Sequence, residues 1–68
     1  MQTVLISPKE TCRRTSLTRP TLDRLIAANE FPRPFHITQR RLAFDAAAVE
    51  EWMQSKLRAA VGQTEDAA

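Results

Sequence analysis

Glycine is almost missing from this chain: one residue of 68, Gly62, lies near the carboxyl end. A glycine-rich loop that cradles phosphates is thereby excluded. Tyrosine is absent, and there is one histidine, His36, and one cysteine, Cys12. No internal disulfide can form, and neither a metal-ligand cluster nor a recognisable nucleophile–base triad can be assembled. The carboxylates fall on helix-capping or exposed helical positions. No apolar run is long enough to span a membrane or serve as a signal peptide. The expectation is a cytoplasmic, nucleoid-associated protein that is not an enzyme, with no catalytic residues, metal, cofactor, small-molecule substrate or membrane partner.

What is present is unevenly distributed. The net charge of +2 hides a basic segment, residues 1–44, with eight Lys or Arg against three acids, and an acidic one, residues 45–68, with two against five. Eight of the ten basic residues are arginine, whose planar guanidinium pairs phosphates and guanine edges bidentately, so a polyanionic or otherwise planar partner is favoured. Hydrophobic residues make up 43%, enough for one small core and one domain.

Val4 to Ile6 is β-branched and apolar and reads as a short strand. In "SPKE", Ser7 is an N-cap, Pro8 suits the first helical position and Glu10 the reciprocal capping position, predicting a helix over about Pro8 to Arg14 with Cys12 as its buried residue. Thr15 to Leu17 is the turn. Thr18 caps a second helix, Arg19 to about Asn29, in which Leu22, Leu25 and Ile26 form one inward stripe. Pro20, Arg24 and Ala27 then point outward, flanked by Thr21 and Asp23.

Pro32 and Pro34 end that helix, because each removes an amide donor and forces its predecessor toward extended geometry. Phe35, Ile37, Leu42 and Phe44 alternate with His36, Arg41 and Ala43, which predicts a hairpin with one apolar face. Its tip, "TQRR", holds neither Gly nor Asn, so a four-residue loop is expected rather than a two-residue primed turn. Asp45 caps a third helix from Ala46 to about Ala60, with Val49, Trp52, Met53 and Leu57 on one face. Residues 62–68 lack an apolar pattern and are expected to be a disordered tail, leaving residues 1–61 as the domain.

The fold class is therefore mainly α with a small β-hairpin, in the order short strand, helix, helix, hairpin, helix. That is the plan of a winged helix-turn-helix DNA-binding domain. The candidate recognition-helix contacts are Thr18, Arg19, Pro20, Thr21, Asp23 and Arg24, with Arg24 foremost for base edges. The candidate wing contacts are Gln39, Arg40 and Arg41, on phosphates or a minor groove. Lys9, Arg13, Arg14 and Arg33 are further candidates for phosphate, although Arg13 and Arg14 equally suit the negative end of the first helix. His36 is read as an inert surface residue, Cys12 as a small core residue and Trp52 as core packing.

From Val4 to Leu57, through "ISPKE", "RRTSLTRPTLDRLIAANEFPRPFHI" and "RLAFDAAAVEEWM", the chain resembles the AlpA family of small prophage regulators, relatives of the excisionase and MerR-type winged helix-turn-helix fold. It departs from the family pattern at Ser16, where Gly is usual, and at Thr38 and Gln39, where a Gly pair stands at the wing tip. It departs again at Asp23, where an aromatic is common, and at Phe44, where Trp is common. The resemblance implies a sequence-specific DNA-binding protein of an integrated mobile element. Such a protein acts as an excisionase, bending attachment-site DNA, or as a transcriptional regulator of an integrase gene. Attachment-site or promoter repeats, other copies of the chain on DNA and an integrase are the expected partners. The rival reading is a protein-interaction adaptor or anti-regulator built on the same fold.

Overall fold

The computed structural model describes residues 3–67, with side chains as far as Val61. The first helix, α1 (Pro8–Thr15), begins where Ser7 Oγ accepts the Glu10 amide at 3.1 Å. Only half of the expected reciprocal cap forms, because the Glu10 carboxylate turns instead to Arg13 and Arg14. The residue that α1 buries completely is Thr11 rather than Cys12, which stays half-buried. Thr11 tolerates burial because its hydroxyl donates to the Ser7 carbonyl at 2.9 Å and so leaves no polar atom unpaired.

Ser16 ends α1 in the left-handed region, at φ 63° and ψ 20°. This is the position where a glycine would be free of Cβ strain. The second helix, α2 (Arg19–Ala27), has Thr18 at its N-cap in extended geometry, but Thr18 makes no side-chain cap; its hydroxyl donates to Thr21 Oγ1 at 3.0 Å. At the other end Glu30 N–H donates to Leu25 C=O (2.8 Å) and Asn29 N–H to Ile26 C=O (3.0 Å), with Asn29 at φ 59°. That is a Schellman closure, so α2 stops before the prolines act on it. Pro32 and Pro34 keep the following segment extended.

Three strands follow one plan: β1 (Leu5–Ile6), β2 (Phe35–Thr38) and β3 (Arg41–Asp45) form an antiparallel sheet in the order β1-β3-β2. The expected lead-in is thus a paired strand, with Leu5 opposite Asp45 and Ile6 opposite Phe44. The wing turn holds two residues, Gln39 and Arg40, between the Thr38–Arg41 pair, not the four expected. Neither has positive φ, so the turn is not a primed one, and the register shift between His36 and Thr38 absorbs the mismatch with strand twist. The wing also lacks a simple apolar face: Phe35 and Ile37 are exposed on an edge strand, whereas Ala43 and Phe44, adjacent on the central strand, are both buried.

Asp45 Oδ1 accepts the Ala47 amide at 3.1 Å and starts the third helix, α3 (Ala46–Ala67). Val49, Trp52 and Met53 pack on a core of Ile6, Leu22, Phe31 and Phe44. Phe31 is its hinge, with its ring edge-on to Phe44 (5.8 Å) and tilted against Trp52 (4.7 Å), whose indole N–H donates to Glu30 C=O at 2.8 Å. Leu57, expected on this face, is exposed, because so short a domain has no further layer beneath the helix beyond Met53. The α3 backbone continues through residues 62–67, where the sequence suggests a tail; a single Gly62 costs about 1 kcal/mol and does not by itself stop a helix.

Candidate nucleic-acid interface

Leu22 is fully buried on α2, and Leu25 and Ile26 are half-buried beside it, which turns Arg19, Pro20, Asp23, Arg24 and Ala27 to solvent. Thr21 is half-buried, held by the Thr18 hydroxyl. The side chains expected to face outward on α2 do so, with Thr21 partly withdrawn from that face. Pro20 lies in the first turn, where its missing amide leaves α2 intact.

The charges on that face are not equivalent. Arg19 Nε donates to Asp23 Oδ1 at 3.1 Å, one turn apart, so the acid on this otherwise basic face is engaged by a neighbouring arginine. Both groups are more than half exposed, and such a pair contributes little stability; what it does is orient the guanidinium. Arg24 has no ion pair among the described residues and projects freely. Arg40 and Arg41 at the wing tip likewise lack carboxylate partners there, and the Arg40 amide donates to Thr38 Oγ1 at 3.3 Å, fixing the tip.

The remaining candidates divide. Glu10 binds Arg13 at 2.6 Å and Arg14 at 2.8 Å, and these hydrogen bonds, Arg13's foremost, lower its carboxyl from 4.5 to about 2. The same contact raises the Arg13 guanidinium further above its ordinary value. Two of the four expected phosphate ligands are therefore committed internally. Arg33 donates to Asn29 Oδ1 at 3.0 Å, a neutral partner that leaves its charge intact, and Lys9 and Gln39 are exposed.

A shallow cavity of about 340 Å³ joins segments far apart in the chain: Ser7 and Pro8 at the start of α1, Arg19 at the start of α2, and Arg40, Arg41 and Leu42 of the wing. Arg19 and the wing pair, read separately from the sequence, thus line one cavity. Arg24 lies outside the cavity lining, further along α2. Sequence reasoning missed Ser7, because an N-cap serine is already explained by the helix it starts. Among the described residues no group of three or more His, Cys, Asp or Glu could hold a metal ion, and no helix is long and apolar enough to cross a membrane.

Two helices joined by a tight turn, a basic hairpin beside the second helix and a third helix closing the core define a winged helix-turn-helix. The family described as "Prophage CP4-57 regulatory protein (AlpA)" matches residues 5–57, and the chain belongs to that family. It is a family of small DNA-binding prophage regulators. No curated protein and no solved structure gives a significant match.

Proposed function

We propose that this chain is a sequence-specific double-stranded-DNA-binding protein of an integrated mobile element, working as an excisionase (a recombination directionality factor), as a regulator of integrase-gene transcription, or as both. The observation that carries the reading is the combination of Arg24, exposed on α2 and without an ion pair among the described residues, with a three-arginine edge formed by Arg19, Arg40 and Arg41. In this reading α2 enters a major groove, where Arg24 meets base edges and Thr18, Pro20 and Thr21 line the approach. The wing holds an adjacent groove or its phosphates, with Gln39 at the tip. Lys9 and Arg33 add peripheral phosphate contacts, and Arg13 and Arg14 do so only by sharing themselves with Glu10.

Asp23 supports the reading rather than opposing it: bound to Arg19, it presents no unpaired negative charge to the duplex. The protein acts in the cytoplasm on attachment-site or promoter repeats, self-associates there, and in excision works alongside an integrase. It needs no cofactor, because its work is binding and bending. The test is selection of fragments from the source genome by the purified protein at near-physiological salt, followed by footprinting. Enriched repeats beside an attachment site would assign excision, and repeats at a promoter would assign transcription. Weak, salt-sensitive retention without enrichment would favour the adaptor or anti-regulator reading.

A further inference from the structure

We propose that the cavity between the start of α1, the start of α2 and the wing tip seats one backbone phosphodiester of duplex DNA, shared by Arg19, Arg40 and Arg41. The inference rests on the DNA-binding reading and adds to it a specific ligand group and a division of labour on α2: Arg19 clamps the backbone, leaving Arg24 to read bases.

Three arginines line this cavity, and among the described residues Asp23 is the one carboxylate paired with any of them. Like charges gathered at one concave site repel, and an anion placed among them relieves that repulsion. The donors are also available. Asp23 engages Arg19 through Nε, so both terminal amino groups of that side chain remain to donate. Among the described residues Arg40 and Arg41 have no carboxylate to release. Ser7 Oγ accepts the Glu10 amide at 3.1 Å, which leaves its own O–H to donate. Pro8, which has no amide hydrogen, and Leu42 complete the lining without competing for the anion.

Placement selects the diester over a free phosphate. The cavity lies between the two elements that would enter neighbouring grooves, and the strand separating two grooves of a duplex is a phosphate backbone. It is open and shallow, so a group attached on two sides can pass through it. The arginines come from separate segments, α2 and the wing, so one phosphate held between them fixes the angle of the wing relative to the recognition helix. Asp23 is a positioning residue in this arrangement: it aims Arg19 and does not touch the ligand.

Sharing makes a quantitative signature. Affinity for a short duplex of arbitrary sequence should fall with salt, with a log–log slope of about 0.9 for each phosphate neutralised. The measurement is that slope, by fluorescence anisotropy between about 50 and 200 mM salt, for the wild type, R19Q, R40Q/R41Q and the triple variant. Melting monitored by circular dichroism verifies that these surface variants stay folded. The expected result is a slope reduced by about one phosphate's worth in the triple variant, with R19Q changing little once the wing pair is already neutral. A reduction near three phosphates' worth would mean three separate contacts and overturn the shared seat, as would no reduction at all, in both cases with the DNA-binding reading intact. Absence of salt-dependent duplex binding by the wild type would instead overturn that reading and the clamp together. Displacement of the duplex by inorganic phosphate at constant ionic strength, beyond the effect of chloride, would reassign the cavity to free phosphate and overturn the diester.

Discussion

Ser16 is the residue at which this sequence works against its own backbone. Its φ of 63° places a Cβ in the left-handed region, where glycine carries no such penalty. Ser16→Gly should therefore stabilise the domain by about 1 kcal/mol, after the added freedom of the unfolded chain is set against the strain relieved. Thermal denaturation reads this directly, and an unchanged or lower Tm would show that the serine makes good its strain. Asn29, at φ 59°, is the contrasting case, because asparagine tolerates this region and its side chain also receives Arg33. Arg24 makes the second prediction at this scale. Exposed on α2 and without an ion pair among the described residues, it should lose about 1–3 kcal/mol of discrimination at one base position when changed to alanine, with weaker changes elsewhere. Competition among duplexes substituted one base pair at a time measures it; a uniform loss across all of them would make Arg24 a phosphate ligand.

Among the elements, α1 shows how charge and structure are linked. Glu10, held from 4.5 down to about 2 by Arg13 and then Arg14, is depressed in the folded state. A carboxylate of this kind contributes stability that is fully present above its unfolded value and disappears as the pH falls through its folded one. The wild type should accordingly lose its Tm advantage over Glu10→Gln as the pH is lowered from about 4.5 to about 2, and added salt should shrink that advantage because the groups are exposed. A Tm difference independent of pH would show that the arginines leave Glu10 in solution. Glu10 also marks the limit of what was legible in the sequence. Helix positions followed from local spacing, since the periods of α1, α2 and the start of α3 need only near neighbours. The carboxylate's choice of Arg13 and Arg14 over the Ser7 amide depended on a competition among partners that spacing does not rank. The wing was legible as a hairpin and not as a two-residue turn, because a bulge between His36 and Thr38 reset the register that alternation alone implies. The separate arginines were legible as candidates, whereas their convergence on one cavity with Ser7 and Pro8 was not, since its lining comes from three segments far apart in the chain that fold around the core of Ile6, Leu22 and Phe44.

At the scale of the whole molecule, the radius of gyration is 13.6 Å and the extents 49 × 31 × 19 Å, against a radius of about 11 Å expected for a compact chain of this length. The excess reflects α3, a 22-residue helix that at 1.5 Å per residue is about 33 Å long and outruns the core it closes. Leu57 and Val61, exposed on that overhang, add nothing to the core, so truncation after residue 61 should leave the Tm within measurement error while the DNA affinity persists. Nor does the overhang enlarge the proposed reading surface, one helix and one short wing. A single module of this kind buries roughly 600–1,000 Å² on DNA, too little for a lone site to compete with the rest of a genome. On the proposed function, occupancy would then come from repeated sites, where contact between neighbouring copies multiplies modest affinities. Footprints on a natural target should show adjacent protected repeats that fill over a narrow concentration range, and deleting one repeat should weaken binding at its neighbour. A single isolated site filling non-cooperatively would mean that the affinity comes from contacts outside α2 and the wing, and the assignment of the interface to those two elements would have to be abandoned.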